Sequence, residues 1–303
     1  MRATTRWKDD ITTDLNEAVQ KLVDNVAPDE KSTNITWSNW QLEKVFETNQ
    51  QIILNGHKVD YSLIKYSYDQ TMAETFDLED RVIHQSGFII AYGGENGVNY
   101  IIDQNSSAMK LLRKLLDYSG KGELKRNSFD FSNDFFIWLI YRVYKERYDI
   151  EVSSGSLNIN LTAIKGFTGD TDDLQTKVSA RGETVMNLIS TLSFLLESRN
   201  MRQVKIDFTC LNHPKISLLL QKDTLTLYLE DYIGAFDQDD ENQKIAKLYL
   251  TIYLELLPFL IQEYNTDISN GLWNNSKYIN FIKEVSDELT KKIKNKIDSI
   301  SSK

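Results

Sequence analysis

Cysteine, histidine and proline are scarce in this chain of 303 residues, which holds one, three and three of them. Cys210 stands alone, so no internal disulfide framework can form, and an intracellular setting is expected. His57, His84 and His213 lie far apart and offer no zinc-ligand spacing, while Cys210 and His213, three residues apart, read as a small packed residue and a turn or surface histidine. P-loop, Rossmann, nucleophile-elbow and kinase signatures are also missing. The N-terminal segment MRATTRWKDDITTDL lacks the apolar stretch of a signal peptide. The longest apolar segment, 248–261, is interrupted by Thr251, Glu255 and Pro258, short of the ~20 residues needed to cross a bilayer. A cytoplasmic protein with no membrane partner is the expectation.

Positive charge is in short supply as well. Lys and Arg number 35 against 44 Asp and Glu, a net charge of -9. That balance opposes attraction to a phosphate backbone, so direct nucleic-acid binding is not expected. Lysine outnumbers arginine, and Asn and Ile are abundant, as in AT-rich coding DNA. This composition points to a bacterial or phage protein, with phage–host conflict as one setting.

What is present is the material of a folded core. Hydrophobic residues make up 41% and charged residues 26%, with five Trp, fifteen Tyr and thirteen Phe, a globular composition. Apolar residues at spacings of three and four predict a helix over 9–26, from Ile11 to Val26, ended by Pro28. Residues 35–51, with Trp37 and Trp40, fit neither period cleanly. Val59, Tyr61 and Leu63 against Ile64 and Tyr66 predict a strand. Residues 88–92 and 98–102 predict a hairpin about Gly93-Gly94-Glu95-Asn96-Gly97. A helix follows, capped by Asn105 or Ser106, with Met109, Leu111, Leu112, Leu115 and Leu116 as its apolar residues, and ended by Gly120. A second, largely apolar helix opens after Ser132. A hairpin is expected over 149–164, a polar loop over 166–173 and a helix over 185–196. A meander over 204–229 turns at Lys222-Asp223, a long helix reaches Tyr264, and a last helix spans 277–300.

Hairpins separated by helices predict an α+β fold with antiparallel sheets, in two loosely similar halves, 1–165 and 166–303. Four groups of residues are candidates for function. Asp103, at a strand end, with Glu123 and Lys125 outlines a Mg-dependent nuclease or hydrolase, the carboxylates holding the metal and the lysine stabilising charge. Asp103 fits an Asx turn equally well. The loop 166–173 clusters oxygens without calcium-loop register. The acidic run Asp237, Asp239, Asp240 and Glu241, with Glu230 and Asp231 before it, could dock a basic partner or simply serve a helix N-terminus. Ile282, Val285, Leu289, Ile293, Lys296 and Ile300, widened by Phe281 and Ile297, trace one stripe on the last helix, suited to packing or to assembly. The Trp37/Trp40 pair could be an exposed anchor, though core packing is the simpler reading. With no cofactor motif, the chain is expected to be a non-enzymatic interaction, assembly or inhibitor protein, homo-oligomeric and bound to another protein. The nuclease is the alternative.

Overall fold

The computed structural model describes residues 3–24, 30–31, 35–72, 82–94, 97–120, 122–145, 149–150, 159–170, 177–181, 196, 200–210 and 212–301. In chain order the elements are β1 (Thr5–Asp9), α1 (Leu15–Asp24), β2 (Glu30–Lys31), β3 (Ile35–Lys44), β4 (Gln50–Leu54), β5 (His57–Met72), β6 (Val82–Gly94), β7 (Gly97–Ile102), α2 (Ala108–Leu115), β8 (Leu124–Arg126) and α3 (Asn133–Tyr144). There follow β9 (Asp149–Ile150), β10 (Ile159–Asp170), β11 (Lys177–Arg181), β12 (Asn200–Cys210), β13 (His213–Gln221) and β14 (Thr224–Leu227). The chain closes with α4 (Glu241–Thr251), a π-helical turn (Ile252–Leu256), α5 (Leu257–Ser269) and α6 (Asn275–Ser301). The fold is α+β, and every strand pairing is antiparallel among the described residues. It divides into two compact units, Met1–Ser128 with Asp239–Thr251, and Phe129–Gln238 with Ile252–Lys303.

The first unit is built on an eight-stranded sheet in the order β2-β3-β5-β6-β7-β1-β8, with β4 also paired to β5. All six residues of β7 are buried, as a central strand covered on both faces requires. Amphipathic α1 and α2 bury Val19, Leu22, Leu111 and Leu115 against Ile64, Tyr66, Ile89 and Ile102 on one face. Between Ser38 and Gln41 the β3–β5 register slips, with Asn39 left-handed at φ 54°. This bulge resets the side-chain alternation, so Trp37 and Trp40, three residues apart, both reach Tyr68, at ring separations of 5.5 and 4.4 Å. The pair is therefore core packing, with Lys110 and Lys114 of α2 over the Trp37 ring.

The second unit holds a six-stranded sheet, β11-β10-β12-β13-β14 with β9 paired to β10, together with α3, α5 and α6. Val204, Ile206 and Phe208 of β12 line up with Ile216, Leu218 and Leu220 of β13 as one buried face. α3 is apolar around its circumference and buried from Phe135 to Val143. Its N-cap is Ser132, whose hydroxyl accepts from the Phe135 N–H at 3.1 Å. The π turn precedes Pro258, which lacks the N–H that a regular helical ladder needs there.

Several expectations are corrected. The first helix begins at Leu15, and residues 5–9 are a strand. The Asp9 carboxylate accepts from the Ile11 and Thr12 N–H groups, holding a turn before α1. The N-cap of α2 is Ser107, with no side-chain cap bond, and its end is set by left-handed Asp117 at φ 55° rather than by Gly120. Met109 is exposed. The polar loop expected from 166 is strand through Asp170, which leaves 165/166 inside β10 rather than at a division. Pro28, the turns at 95–96 and 153–156, residues 171–173 and the helix over 185–195 lie outside the described residues. The stretch Glu241–Ser269 is long and apolar enough to span a bilayer by length and composition, which the sequence reading did not anticipate. In the fold 56% of its apolar window is buried.

Candidate functional site

The nuclease outline comes apart once β1 is in place. Asp103 follows Ile102, which pairs with Thr5, whereas Lys125 pairs with Lys8 on the opposite flank of β1. Two strand spacings and four residues of rise put them about 10 Å apart across the strands and about 13 Å apart along them. Asp103 Oδ1 accepts from the Tyr66 hydroxyl at 2.9 Å and the Phe88 N–H at 2.8 Å. Burial and that carboxylate push the Tyr66 hydroxyl far above its usual range. Glu123 Oε1 accepts from the Gly120 N–H. Lys125 Nζ lies 2.5 Å from Asp10 Oδ2, and this bond holds the Asp10 carboxyl below its ordinary value. Each of the three residues serves its own local structure. Among the described residues no group of three or more His, Cys, Asp or Glu side chains is placed to hold a metal ion. A cleft of about 620 Å³ opens over the cross-strand row of Glu43, Lys65 and Phe88.

The acidic run is likewise occupied. Asp237 Oδ2 accepts from the Gly234 N–H at 2.9 Å. Asp239 pairs with Lys247 at 2.8 Å. Asp240 accepts from the Asn242 and Gln243 N–H groups at the start of α4, and Glu241 occupies its first turn. Asp231 is flanked by Lys205 and Lys215 at 3.4 and 3.5 Å. These carboxylates cap a helix and satisfy neighbouring cations.

The isolated residues are structural too. Burial pushes the Cys210 thiol up to about 12, so it packs as a small hydrophobe. His213 Nδ1 lies 2.7 Å from the Tyr232 hydroxyl in a buried pair. His84 bonds Asp69 on an exposed strand face.

The stripe on α6 divides into two parts. Gly271, left-handed at φ 68°, follows the end of α5. The Leu272 and Trp273 N–H groups then donate to the Asp267 carbonyl, and Asn274 Oδ1 accepts from the Lys277 N–H at 3.0 Å to cap α6. The first turns pack on α3. Phe281 lies against the Tyr141 and Tyr144 rings, and Val285 is 0% exposed. The Tyr144 hydroxyl donates to Glu288 Oε2 at 2.6 Å, and Lys145 pairs with Glu284. Ile282 and Leu289 are half-buried. Past Lys292 the cover ends, and every residue from Ile293 to Ser301 is exposed. There Ile293, Ile297 and Ile300 keep 45%, 56% and 63% of their surface in solvent.

Of the residues expected to meet a partner, Val285 is therefore a core residue, and Ile293 alone of the four apolar candidates is well exposed. Ile297 and Ile300 join it at the free end. The helical period marks the whole stripe alike, whereas the α3 contacts, at Phe281, Glu284 and Glu288, stop short of Ile293. Chemically this end offers apolar and cationic contact, with Lys291, Lys294 and Lys296 exposed beside the isoleucines. No protein-family model matches the chain, and no curated protein matches it.

Proposed function

We propose that the protein works by protein–protein recognition, with the projecting end of α6 as its docking element. The observation that carries this reading is the all-round exposure of residues 293–301 together with three isoleucines on one side. A free helical end of about two turns is marginal in water without a partner to cover it. Burying an Ile side chain is worth about 1.5–3 kcal/mol, so a partner surface has much to gain here. Amphipathic helices of this kind are read by apolar grooves through residues spaced three and four apart. The assembly or inhibitory role expected from the acidic composition fits such a helix, and a bacterial or phage setting remains part of this proposal. The nuclease reading is not carried forward, because β1 lies between Asp103 and the neighbouring Glu123 and Lys125.

The test compares affinity capture from the native cell by the intact chain and by an Ile293→Lys/Ile297→Lys variant, with helix content checked by circular dichroism. Loss of a stoichiometric protein in the variant supports the reading. The same set of captured proteins from both would overturn it.

A further inference from the structure

Charge along α6 points to what covers the exposed end. Glu284, Asp287 and Glu288 outnumber Lys277 and Lys283 in the first half of α6, while Lys291, Lys292, Lys294 and Lys296 lie beyond it, with Asp298 the one acid there. The distal lysines thus form a positive end on a chain of net charge -9. Asp287 and Lys294 are seven residues apart, so they share one flank of the helix, and both are exposed. Ser286, Thr290, Ile293, Ile297 and Ile300 recur at three and four beside that flank, and all are exposed.

We infer that the occupant of this face is a second copy of the same chain, its α6 laid antiparallel to the first. The inference rests on α6 being the docking element. In that arrangement the two-fold axis falls midway between Asp287 and Lys294, and each Asp287 meets the Lys294 of the other copy. Ile293 and Ile297 of one helix then lie over the small Thr290 and Ser286 of the other, which allow close approach. A parallel pair in register leaves both charges unpartnered, because its flanking contacts join residues five apart and set Asp287 by Ile282 and Lys294 by Leu289. The overlap from 283 to 300 spans about 27 Å of helix, with the cores of the two copies at opposite ends.

Sedimentation of the purified chain across a concentration series tests this. The expected result is a species of twice 35.1 kDa at high concentration. Lys294→Glu and Asp287→Lys should each move the monomer–dimer midpoint upward about tenfold, by turning two attractive pairs into repulsive ones. The Lys294→Glu/Asp287→Lys double variant should return it toward the original value. Both positions are exposed, and matching circular dichroism spectra establish that the variants fold. A chain that stays monomeric at every concentration overturns the second-copy inference, while the capture comparison above still decides whether α6 docks another protein. A dimer indifferent to both charge reversals overturns the antiparallel seating.

Discussion

The Trp138 indole N–H donates to Asp267 Oδ2 at 2.8 Å, joining α3 to α5 inside the second unit. The same oxygen accepts from Arg142 Nη1 at 3.0 Å, with side-chain exposures of 7% for Arg142 and 4% for Asp267. Glu263 adds a longer contact to Arg142 at 3.4 Å. The carboxylate is thus the point at which the Trp138 indole and one arm of the buried Arg142 guanidinium converge. Asp267→Ala should cost roughly 3–5 kcal/mol, because it takes the close counter-charge from a buried cation. Trp138→Phe removes one donor to a carboxylate that Arg142 still engages, and should cost about 1–3 kcal/mol. Urea unfolding followed by circular dichroism measures both.

Gly87 lets Asp103 and Tyr66 approach the backbone. A Cβ there would lie 2.2 Å from Asp103 Oδ1 and 2.5 Å from the Tyr66 hydroxyl oxygen. Gly87→Ala should therefore lower stability by about 2 kcal/mol, through the displaced buried pair. Gly122→Ala meets nothing within 4 Å, and its midpoint should stay close to that of the parent. Equal midpoints for the two variants would contradict the close packing at Gly87.

Burial lowers the pKa of His213 from its ordinary value of 6.5, and the nearby Asp237 charge opposes the shift only in part. The unfolded chain then binds the proton more readily than the folded one. The stability gained is present above about pH 6.5 and is lost as the pH falls through the folded pKa. Unfolding midpoints measured from pH 7.5 down to 5 should fall for the parent and fall less for His213→Gln.

Lys125→Ala and Glu123→Ala should leave stability nearly unchanged, since Lys125 pairs on the surface and Glu123 bonds an exposed turn. Neither should alter Mg-dependent cleavage of DNA or RNA relative to the parent chain. A loss of cleavage confined to Glu123→Ala would revive the metal site.

The β6–β7 hairpin, the β12–β14 meander, α3 and the span of α6 were all legible from period and turn chemistry, because each is closed by neighbours in sequence. The elements that were misread depend on distant partners. Thr5-Arg6-Trp7-Lys8-Asp9 is a strand because β7 and β8, about a hundred residues on, supply its ladders. That insertion is also what separates Asp103 from Lys125. Gly166, Thr168 and Gly169 have loop composition but pair with β11 and β12, with register shifts beside them. In β3 the bulge at Asn39 spaces Trp37 and Trp40 by three on one face, which mimics helical spacing. On α6 the stripe was legible but its cover was not, since the contacts of Phe281 and Glu288 are with Tyr141 and Tyr144, more than a hundred residues earlier.

The most direct test of α6 as the docking element is photocrosslinking from Ile297, set against the same crosslinker at Ile11. The two side chains are comparably exposed, at 56% and 59%, so exposure alone predicts equal yields. Crosslinker at Ile297 should join the chain to one protein in high yield, while Ile11 gives background. Equal yields at the two positions, or none from Ile297, would contradict the account.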